Sequence, residues 1–131
     1  MDYYFSTQLK DSTFDDAVSK TKEALKSEGF GVLTEIDMKA TLKKKLDVHF
    51  HNYIILGACN PPLAYEALKA EDKIGTMLPC NVILQEREQN IIEIAAVDPA
   101  ASMQAVKNDA LITVAETVRE KLKKVIQNIT K

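Results

Sequence analysis

The ten residues 53–62, YIILGACNPP, constrain the fold more than any other stretch of this chain. From Ile54 to Ala58 no position is polar, so a strand here has no side to turn towards water and is expected to be central in a sheet. Pro61 and Pro62 cannot extend a ladder, but they suit the first turn of a helix. Leu63, Ala64, Ala67 and Leu68 then fall on one helical stripe. A strand that passes directly into an amphipathic helix calls for a sheet with a helical cover.

The flanking segments fit that frame. Residues 3–9 alternate, with Tyr3, Phe5, Thr7 and Leu9 on one side, which predicts a first strand. Ser12 or Thr13 can cap a helix whose stripe is Phe14, Ala17, Val18, Thr21, Ala24 and Leu25, and Gly29 stops it. Residues 30–37, FGVLTEID, read as a second strand with Phe30, Val32, Thr34 and Ile36 on one face and Gly31, Leu33, Glu35 and Asp37 on the other. A short lysine-rich helix over 38–46 leads to the 53–60 strand. Residues 80–87 and 91–97 predict a hairpin turned at Gln89-Asn90. Asp98-Pro99 opens a helical segment, and Leu111, Val114, Ala115, Val118, Leu122, Val125, Ile126 and Ile129 form the longest stripe, read as the lid of the core. The expected order is therefore β-α-β-(short α)-β-α-β-β-α.

Composition limits the function. A chain of 131 residues, 46% hydrophobic, is expected to fold as one domain over residues 1–131. Its net charge of -2 offers no general attraction to phosphate backbones or anionic membranes, so neither nucleic acid nor membrane is an expected partner. The dense basic run from Lys39 to Lys45 reads as a solvated helix face. No apolar run approaches the roughly 18 residues of a membrane span, and the first eleven residues do not read as a targeting signal, which makes a cytoplasmic location the expectation. In that compartment the two cysteines are expected as thiols.

Those cysteines are the main chemical candidates. Cys59 and Cys80 each precede an asparagine, Asn60 and Asn81, and each lies at a predicted strand end. Cys59 also adjoins a helix N-terminus, where free amides and the helix dipole stabilise a thiolate. The ordinary role of a cysteine is that of a small buried hydrophobe. Gly57 lets backbone or a ligand approach closely. Glu35 and Asp37 share a strand face and could act as paired carboxylates, although such ends usually just meet water. His49 and His51, spaced i and i+2, can chelate a divalent metal if the chain is extended, but no third ligand is evident and hydrogen-bonded surface histidines are the commoner case.

The segments FGVLTEID, YIILGACNP, the alanine-rich helix after it, LPCNV and Asp98-Pro99, in that order, resemble the bacterial and archaeal family called domain of unknown function 302. The resemblance runs from Phe14 to about Val118. It implies an α+β fold akin to one repeat of the TATA-box-binding protein and a homodimer, and it brings no established activity. It marks Glu35, Asp37, Gly57, Cys59, Asn60, Pro61, Pro79, Cys80 and Asn81 as the positions matching the family's signatures, and leaves His49 and His51 outside them.

Three functional readings follow. The first is a homodimeric ligand-binding or thiol-redox module, with Cys59 and Cys80 converging at one end of the sheet and able to form a disulfide or persulfide or to hold a soft metal. The second is an enzyme with a cysteine nucleophile and a carboxylate or histidine base. The third is an interaction domain in which the same residues only hold turns and fill core. No phosphate loop, dinucleotide fingerprint, nucleophile elbow or four-cysteine zinc pattern is present, and no cofactor is indicated.

Overall fold

The computed structural model describes residues 2–130. Five antiparallel strands form one sheet: β1 (Tyr4–Lys10), β2 (Gly31–Asp37), β3 (Asn52–Cys59), β4 (Cys80–Glu88) and β5 (Ile91–Val97), in the spatial order β1-β5-β4-β3-β2. Helices α1 (Phe14–Ser27), α2 (Met38–Leu46), α3 (Pro61–Ala70), α4 (Pro99–Ser102) and α5 (Asp109–Ile129) complete the fold, with a 3-10 turn at Ile74–Met77. The expected α+β class and element order hold. The apolar β3 lies inside the sheet between β2 and β4, but the middle position belongs to β4.

Each boundary has a local cause. Thr13 caps α1 by accepting from the Asp16 amide. At the other end Gly29, at φ +84°, lets its own amide reach the Lys26 carbonyl while the Phe30 amide reaches that of Leu25. This paired closure needs a left-handed residue, which is why glycine stands there. Asp37 caps α2 through the Ala40 amide, and Asp47 ends it in a left-handed conformation. Asp98, only 4% exposed, caps α4 through the Ala100 amide and pairs with Arg119 of α5 at 3.3 Å. Its backbone amide donates to the Tyr3 carbonyl, so this one aspartate ties the end of β5 to the final helix and to the chain before β1.

The core lies between one face of the sheet and helices α1 and α5. Leu56, Ala58, Val82, Leu84, Ile92, Ile94 and Ala96 from the strands meet Ala17, Leu25, Val118, Leu122, Val125 and Ile126 from the helices. Residues 111–129 cover that sheet with the stripe expected of them, confirming α5 as the lid. A second, smaller cluster of Ala67, Ile74 and Leu111 gathers Leu78, Met103 and Val106 beyond α3.

One register differs from strict alternation. Val32 pairs with Ala58, yet Thr34 pairs with Gly57, so Leu33 is an extra residue in a β-bulge. Val32 therefore shares the helix-facing row with Glu35 and Asp37, while Gly31, Thr34 and Ile36 face the other way. Four consecutive alternating positions could not reveal this, because a bulge inserts its residue without changing hydrophobic composition.

Candidate functional site

Where the two apolar clusters meet, they leave a cavity of about 310 Å3. Phe30, Ala58 and Cys80 come from the main cluster, and Ala67, Leu78 and Met103 from the smaller one. Its wall is almost wholly apolar. Leu33, exposed by the bulge to 67%, and Leu68, 45% exposed, border the same space, so its surround is greasy as well. Exposed leucines are unremarkable singly; a pair beside an apolar hollow marks a place where apolar matter can enter.

Both cysteines border this cavity, and neither is in a disulfide. Cys80 opens β4 after the cis Leu78–Pro79 peptide and pairs with Ala58, which puts it on the helix-facing row at 8% exposure. Cys59 pairs with Gly31 on the alternate row, and it reaches the cavity as the last residue of β3, where the chain swings into α3. Burial pushes the Cys80 thiol up to about 11, with the charge of a Cys59 thiolate adding to the effect. At neutral pH only about one Cys80 in ten thousand is then the nucleophilic thiolate.

The other sequence candidates separate. Asn60 lines the cavity, but its polar atoms are occupied: Oδ1 accepts from the Leu63 amide to cap α3, and Nδ2 donates to the Glu28 carbonyl. Gly57 makes room for protein. A Cβ there would lie 2.1 Å from Thr34 Oγ1 and 2.7 Å from Pro79 Cγ. Asn81 is exposed on the opposite face of the sheet. Glu35 pairs with Lys22 at 2.6 Å and Asp37 caps α2, so the two carboxylates share a row but have separate structural partners.

His49 and His51 lie in residues 47–51, which belong to no strand. His51 Nε2 is 2.8 Å from Gln85 Oε1, and its ring stacks on Phe50 with centroids 4.1 Å apart. Among the described residues no three of histidine, cysteine, aspartate or glutamate gather as a metal site. Among the described residues no helix is long and apolar enough to cross a membrane.

Sequence reasoning missed the face of the sheet opposite the core helices. There Tyr53, Gln85 and Glu93 lie side by side, since Gln85 pairs with both Tyr53 and Glu93 across the ladders. Extending the 89-90 turn register across the hairpin would put Glu86 opposite Glu93; the β4 bulge between Gln85 and Glu88 shifts the pairing by one residue and brings Gln85 there instead.

The family model for "Domain of unknown function DUF302" matches residues 5–129. The chain belongs to the DUF302 family. The crystal structure of an uncharacterized conserved DUF302 protein from Bacillus stearothermophilus is similar to this one with a TM-score of 0.87 at 23% identity, over 97% of this chain and 98% of that one. At that identity the likeness establishes the fold of this DUF302 chain and leaves its chemistry to its own residues. No functionally curated protein matches it.

Proposed function

We propose that this DUF302 chain is a binding module for a small apolar ligand, taken into the cavity that Cys59 and Cys80 border. The observation that carries the reading is the hollow itself: apolar walls, an apolar surround and a volume of about 310 Å3, of the size small-molecule sites have. Burial of a ligand there gains about 25 cal/mol for each Å2 of apolar surface removed from water.

The alternatives in thiol chemistry have less support. Ladder alternation puts the two cysteines on different rows, and Cys80 is held protonated. A cysteine-nucleophile enzyme needs a base beside the thiol, whereas His51 is bonded to Gln85 and Glu35 to Lys22. The same reading takes the chain as a homodimer, supported by the family resemblance alone.

Titration with N-phenyl-1-naphthylamine, which fluoresces in apolar surroundings, tests the proposal. One saturable site per chain is expected, abolished by Ala64→Trp, which plugs the cavity from α3. Absence of saturable fluorescence in folded protein overturns the reading, as does binding that survives Ala64→Trp. Native mass spectrometry of the same samples reads subunit number, bound mass and thiol oxidation together.

A further inference from the structure

The second concavity, about 580 Å3, lies on the opposite face of the sheet and owes nothing to the cavity above. Ile83, Ala95 and Val97 give it an apolar floor, and Tyr3, Tyr4 and Tyr53 add aromatic surface. Two charged side chains, Arg87 and Glu93, border it as well. They are not paired with each other, and among the described residues Arg87 stands in no ion pair.

Glu93 is held in place from behind. Its Oε1 accepts from Gln85 Nε2 at 2.7 Å, and Gln85 Oε1 lies 2.8 Å from His51 Nε2. A carboxylate only accepts, so the Gln85 amide has one possible orientation and His51 must donate from Nε2. Gln85 is itself 7% exposed, which makes this a supported carboxylate more than a free surface acid. Tyr53 is kept protonated, its hydroxyl pushed up by burial and then by the Glu93 charge, with Tyr3 adding and Arg87 opposing.

A concavity with one anchored negative group and one unpaired positive group, over an apolar floor, is complementary to a ligand carrying the reverse dipole and an apolar side chain. We propose that it binds a free apolar L-amino acid, its carboxylate on Arg87, its ammonium on Glu93, and its side chain over Ile83, Ala95 and Val97. Guanidinium and carboxylate match as a planar fork. The ammonium gains from the tyrosine rings in the same concavity.

The chain suits the experiment, because it has no tryptophan and three of its four tyrosines line this concavity. Tyrosine fluorescence and calorimetry are measured with L-leucine, N-acetyl-L-leucine and L-leucinamide, and calorimetry with L-phenylalanine. Saturable binding of leucine or phenylalanine is expected, with both blocked leucines at least about tenfold weaker, roughly 1.4 kcal/mol. Arg87→Gln is expected to weaken leucine about tenfold and bring it level with leucinamide. Glu93→Gln, which still offers Gln85 an acceptor, is expected to do the same relative to N-acetyl-leucine. Failure of both amino acids to bind at about 50 mM, far above useful affinity, overturns the proposal. So does equal binding of the blocked analogues, or no effect of either substitution while circular dichroism shows the variants folded. Ala64→Trp, assayed by calorimetry, must leave leucine binding unchanged, which separates this site from the apolar cavity.

Discussion

Cys80 and Asn81 are consecutive residues of β4, yet they border two different hollows. Cys80 faces the helices and an apolar cavity that keeps its thiol neutral; Asn81 faces a concavity bordered by tyrosines and charges, in which the Gln85 amide holds the Glu93 carboxylate by a hydrogen bond. One strand thus divides two environments by the alternation of its side chains. The difference teaches that in a two-layer fold the polarity of a site is set by what covers the sheet. Where α3 and α5 cover it, polar atoms must be partnered or absent; where nothing helical does, a supported polar network can stand.

The contrast is broken most forcefully by charging each side in turn. Cys80→Asp buries a carboxyl without a partner and is expected to cost more than about 3 kcal/mol in urea unfolding. Asn81→Asp, one residue on, should stay within about 0.5 kcal/mol. Similar losses at both positions would show that the two faces are not distinct.

The pH dependence sharpens the same point. The Cys80 thiol is raised in the folded state to about 11, above its unfolded value, so the folded form keeps a proton that the unfolded chain has released. Stability from this group is therefore intact below pH about 9 and is lost as pH rises towards 11, by roughly 2 to 3 kcal/mol. Wild type minus Cys80→Ala across that range should show the loss; parallel curves would mean that the thiol is not held in an apolar wall.

Gly57→Ala tests whether the row opposite the core is packed at that point, because the new methyl meets Thr34 and the Pro79 ring. About 1 to 3 kcal/mol of destabilisation is expected by thermal melting, partly recovered by adding Thr34→Ala. Asn60→Ala removes a cap and a tether to Glu28 together, and about 1 kcal/mol is expected. An unchanged melting temperature would leave Asn60 free for a ligand after all.

These residues also show what was legible in advance. The element order and the lid helix were, because hydrophobic period reports burial directly: α5 carries its stripe over five turns, and β3 has no polar row. Cys59 and Cys80 were placed at the correct strand ends because proline and asparagine punctuate both. The bulge at Leu33 and the Gln85–Glu93 pairing were not legible, since register depends on partners across the sheet. Nor could spacing foresee that Asn60, Glu35 and Asp37 would be occupied by a carbonyl, a lysine and a helix end.

The strand order has a further consequence in time. Strands β2 to β5 are neighbours in both sequence and space, so each can dock on the one before it as the chain lengthens, while β1 has β5 as its only strand partner and Tyr4 must wait for Val97. Long loop closure is slow, and such pairings come late. Pulsed hydrogen exchange during refolding should find β1 amides protected after those of β3 and β4; simultaneous protection would refute this order. During synthesis the earliest made of these five strands is then the last to find its place, with Phe5 and Leu9 uncovered until nearly the whole sheet has been made.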